Sequence, residues 1–223
     1  MKLEELQAVF GGKKVFVTGH TGFKGSWLCS MLLLLGADVS GYALQPNTKP
    51  SLFEMLNLEQ RMSSYFGDIR DYHNLEKVLL ATKPDYVIHL AAQPLVRESY
   101  QIPRETFEIN IMGTVNVLEI CKNMDSIKSI VNVTTDKVYE NQEWIYGYRE
   151  NERLGGIDPY SSSKACYELV SESYKKSFLN EKKIPLSTCR AGNVIGGGDY
   201  AADRIKPDCV RAATDKKNME SRN

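Results

Sequence analysis

Three glycines set three residues apart, Gly19, Gly22 and Gly25, interrupt the apolar β-branched run Val15-Phe16-Val17-Thr18 and lead into a stretch that begins Ser26-Trp27-Leu28. The pattern predicts a strand, a tight loop and a helix. Glycine is needed to turn sharply off the strand, to let backbone lie against an anion, and to seat the helix start close to a sheet. The free amides at that helix N-terminus then face a phosphate. Glycine-rich turns of this kind also occur without a ligand, so the residues downstream carry the decision.

Those residues repeat the alternation. Asp38 to Leu44 reads as a second strand, Ser64-Tyr65-Phe66 as a third, Asp85 to Ala92 as a fourth, Ile130 to Thr135 as a fifth and Pro185 to Arg190 as a sixth. Between them lie periodic helical segments through Leu75, Val78 and Leu79, from Glu105 to Cys121, and from Pro159 to Phe178. Near-continuous apolar strands alternating with helices predict an α/β fold, a doubly wound parallel sheet in the order 3-2-1-4-5-6. The apolar run Met31 to Leu35 is far too short for a membrane span and is expected to be core. From Gly192 onward the texture becomes polar and loop-like. Residues 1–190 are therefore expected to form a dinucleotide-binding domain, and 191–223 cannot form a domain alone.

Charge narrows the partners. Lysine plus arginine equals aspartate plus glutamate at 28 each, so no bulk field draws the protein to nucleic acid or an anionic membrane. Any anionic ligand must be held locally. The N-terminal Met1-Lys2-Leu3-Glu4-Glu5-Leu6 lacks the apolar region of a signal peptide, which implies a cytoplasmic protein. Five cysteines and three histidines are scattered without ligand spacing, so reduced, mostly buried thiols and no metal site are expected.

The chemistry concentrates late in the chain. Of twelve tyrosines only Tyr160 has a lysine four residues on, Lys164, which puts both on one face of the helix that Pro159 opens. An ammonium beside a phenol favours the phenolate and makes it a proton acceptor for a sugar hydroxyl. Alone, the pair reads equally as a solvated helix face. Thr135-Asp136-Lys137, at the carboxyl end of the fifth strand, changes that balance, because open α/β sheets bind their ligands along this edge.

Taken together, the glycine loop, Gly67-Asp68-Ile69-Arg70-Asp71, Leu90-Ala91-Ala92-Gln93, Thr135-Asp136-Lys137 and Tyr160 to Lys164 resemble the extended short-chain dehydrogenase/reductases that act on nucleotide sugars. Within that superfamily, Gly19 to Leu28, Thr134 to Tyr139 and Arg190 to Asp199 are most similar to the CDP-glucose 4,6-dehydratase family, where lysine follows the Thr-Asp pair in place of glutamate. The resemblance implies bound NAD, with NADP not excluded, since Ala43-Leu44-Gln45 carries neither the acid nor the arginine that would discriminate. It implies cofactor contacts from Gly19, Thr21, Gly22, Phe23, Gly25, Asp68, Ile69, Leu90, Ala91, Ala92, Tyr160 and Lys164, and sugar-nucleotide contacts from Arg190 and Asn193. Thr135, Asp136, Lys137, Tyr160 and Lys164 would be catalytic. Tyr160 would take the 4-hydroxyl proton, Asp136 would act as acid at the C6 hydroxyl and Lys137 as base at C5, in a deoxysugar pathway. A homodimer joined through the long helices is also implied, and residues 191–223 would be the beginning of an incomplete substrate-binding lobe. The alternatives are a nucleotide-sugar 4-epimerase of the same superfamily and a catalytically silent dinucleotide-binding protein.

Overall fold

The computed structural model describes residues 2–202 and 204–215. Helix α1 (Leu3–Phe10) precedes β1 (Lys14–Thr18), and α2 (Phe23–Leu34) follows the glycine loop. The alternation continues through β2 (Asp38–Ala43), α3 (Leu52–Met55), β3 (Ser63–Phe66), α4 (Tyr72–Thr82) and β4 (Tyr86–His89). Next come α5 (Val96–Gln101), α6 (Pro103–Phe107), a π-helical turn over Glu108–Met112, α7 (Gly113–Cys121) and β5 (Ser129–Val133). The described chain closes with α8 (Pro159–Tyr174), a second π-helical turn over Lys175–Leu179, β6 (Leu186–Cys189) and α9 (Ile205–Thr214). All six strands are parallel, in the order β3-β2-β1-β4-β5-β6.

Side-chain alternation along β1 explains why both faces are covered. Phe16 joins a core with Leu75 and Leu79 of α4, Val117 and Leu118 of α7, and Ile130 of β5. Val15 and Val17 point the other way, into a core with Cys29 and Leu32 of α2 and Phe53 of α3. Each fully buried Leu or Phe contributes roughly 1.5–3 kcal/mol, so the central strand is held from two sides. The expectation for Met31 to Leu35 needs correction: Leu32 and Leu35 are buried, but Met31 and Leu34 are 51% and 75% exposed, because a helix on a sheet buries one stripe only. The thiols divide as well, with Cys29 and Cys121 buried and Cys189 exposed; all five are free.

Two elements escaped the sequence reading. Helix α1 buries none of its residues fully and reaches the core only through half-buried Phe10, which lies edge-on to Tyr86. Helix α5 is six residues long, too short for periodicity to declare itself. The long helix expected to end near Cys121 is broken at Glu108–Met112 into a π turn that brings Asn110 inward. Residues 191–202 fold back over α2 and α3, where Trp27 donates to the Gly197 carbonyl at 2.9 Å. The expected second-lobe segment is described only as far as residue 215, so its end lies outside the described residues. No described helix is long and apolar enough to cross a membrane.

Candidate active site

The glycine loop is tied down from both sides. Gly19 takes a positive φ of 74°, and a Cβ there would lie 2.8 Å from the Ala91 amide nitrogen. A Cβ on Gly25 would lie 2.1 Å from the Gly19 carbonyl oxygen, so the helix start sits directly on the loop. Gly22 differs: its closest protein atom would be 3.4 Å from a Cβ, and it is exposed. As N-cap of α2, Gly22 has no side-chain cap, which leaves the first helical amides open. Thr21 anchors the loop to the end of β2 by donating to the Leu44 carbonyl at 2.8 Å. Phe23 opens α2, and a Cβ on Gly196 would meet its ring at 3.1 Å.

Along the same sheet edge, the Leu90 and Ala91 amides both donate to Thr18 Oγ1 at 3.1 Å, which fixes the turn carrying Ala92. Ile69 is buried, and Asp68 is held by Arg70, whose Nε donates to Asp68 Oδ1 at 3.0 Å. That bond keeps the Asp68 carboxyl below its usual range.

Beyond β5 the chain is laced to the end of β6. Thr134 donates to the Cys189 carbonyl at 2.8 Å and Asp136 to the Ala191 carbonyl at 3.0 Å. Thr135 then caps a short 3-10 turn by accepting from the Lys137 amide at 3.3 Å. Lys137 Nζ lies 3.3 Å from Asp136 Oδ1, with side chains 42% and 55% exposed. Helix α8 opens as the sequence predicts. Asp158 accepts from the Ser161 amide at 2.9 Å in a capping box, with Pro159 at the first helical position. This places Tyr160 so that its phenol hydrogen-bonds Thr135. Asn110, turned inward by the π turn, donates to Ser163 Oγ at 2.8 Å, and Ser163 donates to the Tyr160 carbonyl at 2.7 Å.

The charge pattern departs from the expectation that Lys164 would lower the Tyr160 phenol. Burial dominates and raises it, against the Thr135 hydrogen bond and the Arg204 cation, which lower it. Lys164 is itself brought down to about 7, first by burial and then by the Lys24 ammonium, with Glu168 opposing. Burial and the charge of Arg204 also lower Lys24. Lys24, in the first turn of α2, thus feels two cations, Lys164 on one side of the pairing and Arg204 on the other. Sequence reasoning passed over Lys24 and Arg204; a lysine inside a glycine loop was the available signal. Arg190 is bound up within the protein. Its guanidinium pairs with Glu168 of α8, Nε reaching Oε1 at 2.8 Å, and Nη1 donates to the Tyr139 hydroxyl at 2.7 Å and the Glu150 carbonyl at 2.9 Å. Asn193 is exposed. No cluster of three metal-ligating side chains occurs among the described residues.

Comparison with known proteins matches residues 16–199 to the family model described as GDP-mannose 4,6 dehydratase. The chain belongs to this dehydratase family. A CDP-glucose 4,6-dehydratase of Salmonella typhimurium is 52% identical over 217 residues, covering 95% of this chain and 60% of that protein. A dTDP-D-glucose 4,6-dehydratase of Dictyostelium discoideum is 32% identical, covering 92% and 49%. The chain therefore spans about half to three-fifths of the length of these two dehydratase relatives. Among solved structures, a UDP-glucuronic acid 4-epimerase from Bacillus cereus in complex with UDP-glucuronic acid and NAD superposes with a TM-score of 0.80 at 28% identity. It covers 92% of this chain and 64% of that one.

Proposed function

We propose that the protein is a CDP-glucose 4,6-dehydratase that works through a bound nicotinamide dinucleotide, NAD, and yields CDP-4-keto-6-deoxyglucose. The observation that carries this reading is the joining of Thr135, Asp136 and Lys137 to Tyr160 on one sheet edge, with Thr135 hydrogen-bonded to the Tyr160 phenol. The 52% identical Salmonella dehydratase supports it. Residues 1–190 are read as the cofactor domain, and 191–223 as the start of the substrate lobe.

The residues fit a dinucleotide. The uncapped α2 amides and the room left at Gly22 would admit a diphosphate, whose charge would relieve the repulsion of Lys24 with Lys164 and with Arg204. The cofactor supplies hydride acceptance at C4 of the sugar and hydride return at C6. Tyr160 would take the 4-hydroxyl proton as its phenolate, the form that the Thr135 hydrogen bond and the Arg204 charge favour against burial. A 4-ketone acidifies the C5 proton; Lys137 removes it while Asp136 protonates the departing C6 hydroxyl. For this the pair must stand as amine and carboxylic acid, the ion pair having passed its proton from Lys137 Nζ to Asp136 across the 3.3 Å contact; the ammonium and carboxylate left after water loss restore the ion pair. Arg190 acts in this scheme from behind, bracing Tyr139 and the segment after Lys137. Exposed Met112, at the end of the π turn that leads into α7, and Leu169 of α8 suit a homodimer through these helices, which light scattering checks.

Incubation with CDP-glucose and NAD, followed by alkaline absorbance for a 4-keto sugar, tests the reading. Formation of CDP-galactose without a keto product would assign the protein to 4-epimerisation instead.

A further inference from the structure

Tyr167 has no part in the scheme above, yet Lys164 lies against it. Lys164 Nζ sits 4.2 Å from the centroid of the Tyr167 ring. That ring is stacked on His89, with centroids 5.4 Å apart and planes within 6°. Tyr167 and His89 are fully buried and Lys164 is 3% exposed, so water screens none of these contacts. The Tyr167 hydroxyl donates to the His89 carbonyl at 3.3 Å, which fixes the ring against β4.

His89 is fixed in turn, and its tautomer follows from its neighbours. Thr18 Oγ1 already accepts two amides, so its own hydrogen goes to His89 Nδ1 at 2.6 Å. Thr114 Oγ1 gives its hydrogen to the Asn110 carbonyl at 2.7 Å, so it accepts from His89 Nε2 at 3.2 Å. The imidazole is therefore neutral, with its proton on Nε2. Burial and then the Lys164 charge hold its pKa near 3. A neutral ring beneath the phenol adds no competing cation. Around Lys164 stand Lys24 from α2, His89 from β4, and Glu168 and Tyr167 from α8; Glu168 is committed to Arg190.

We propose that Tyr167 is a positioning residue for Lys164, its ring holding the ammonium in place against the repulsion of Lys24. The inference rests on the functional reading only in that Lys164 serves the cofactor site. A cation over an aromatic face is held by the ring quadrupole, and more strongly where water is excluded. The Lys164–Tyr167–His89 stack thereby links the catalytic helix to Thr18 at the root of the glycine loop.

The test replaces Tyr167 by phenylalanine and then by phenylalanines carrying one, two and three ring fluorines, which keep the shape and weaken the quadrupole. The Lys164 Cε resonance, assigned by its loss in Lys164→Met, is followed against pH, and NAD affinity is measured in parallel. Tyr167→Phe is expected to titrate as the parent does, with the midpoint falling stepwise to about one pH unit lower at three fluorines. NAD affinity at slightly alkaline pH should fall in step. A midpoint independent of fluorination overturns the proposal, since a purely space-filling ring would give that result. Absence of NAD binding by the parent protein would instead overturn the functional reading, while the titration still decides the stack.

Discussion

Lys137 and Lys164 both face the same sheet edge, but in opposite surroundings. Lys137 stands on a turn after β5, half exposed and 3.3 Å from a carboxylate that is itself exposed. Lys164 lies inside α8, 3% exposed, over an aromatic ring and facing a second ammonium. The α8 side has its polar groups arranged by protein contacts before any ligand arrives. The β5 side is left open, so that under the proposed function a sugar would complete its surroundings and exclude water there. One half of the site is thus preorganised, and the other is built to be covered.

The largest expected effect falls on the preorganised half. Tyr160→Phe keeps the ring and the capped helix but removes the proton acceptor, and should cost ~10²–10⁴ in turnover of CDP-glucose. The initial rate of reduced cofactor formation measures it, and a parent-like rate would break the comparison by showing that the buried phenol takes no proton. On the open half, Asp136→Asn should leave the first oxidation nearly intact and slow water loss by roughly 10² or more. Reduced cofactor then accumulates on the enzyme and absorbs in the near ultraviolet. Normal product formation with no such build-up would remove Asp136 as the acid.

The glycine loop divides along the same line between internal contact and ligand contact. Gly25→Ala forces a Cβ to 2.1 Å from the Gly19 carbonyl oxygen, an overpacking expected to cost about 1–3 kcal/mol of stability in urea unfolding. Gly22→Val meets no protein atom closer than 3.4 Å from its Cβ, so stability should hold. Affinity for NAD should fall roughly tenfold, because the bulk projects toward the open helix amides. Equal loss of stability in both variants would mean that Gly22 serves the loop rather than a ligand.

Much of this was legible in the sequence, for physical reasons that can be named. Parallel strands buried on both faces are written as unbroken apolar runs, and the doubly wound order follows from their alternation with helices. Tyr160, Lys164, Thr135 and Asp136 sit at strand ends and helix starts, where spacing alone fixes position. What surrounds them was not legible. Tyr167 reads as an ordinary core aromatic, His89 as one more residue of an apolar strand, and Arg204 lies forty residues beyond Lys164. Their meeting depends on the π turn at Asn110 and on chain that returns over α2. The sign of the Tyr160 shift was misjudged for the same reason: the sequence shows a neighbouring lysine, whereas burial depends on every element packed around the phenol.

The smallest effect, and the one most specific to Lys164, is on stability against pH. Folding brings this lysine from 10.5 down to about 7, so between those values the unfolded chain holds a proton that the native protein has released. Stability then rises with pH across that interval, by at most ~1.4 kcal/mol per pH unit for one group. Below about pH 7 the lysine is charged in both states, and the full cost of its burial is present. Lys24, also lowered by burial, adds a slope of the same sign. The window closes from above, because burial raises the Cys29 and Cys121 thiols from 9.0 to about 12; the unfolded chain loses those protons first, and stability falls with pH beyond about 9. From below, His20 and His89, lowered to about 4 and about 3, complete their own rise in stability near their unfolded value of 6.5. Urea unfolding at about pH 7 and about pH 8.5 isolates the interval in which the lysines dominate. The parent protein should gain on the order of 1 kcal/mol between the two, and Lys164→Met should lose most of that gain. A parent protein with no gain would mean that Lys164 keeps its proton throughout, and the preorganised half of the site would then hold a full charge at neutral pH.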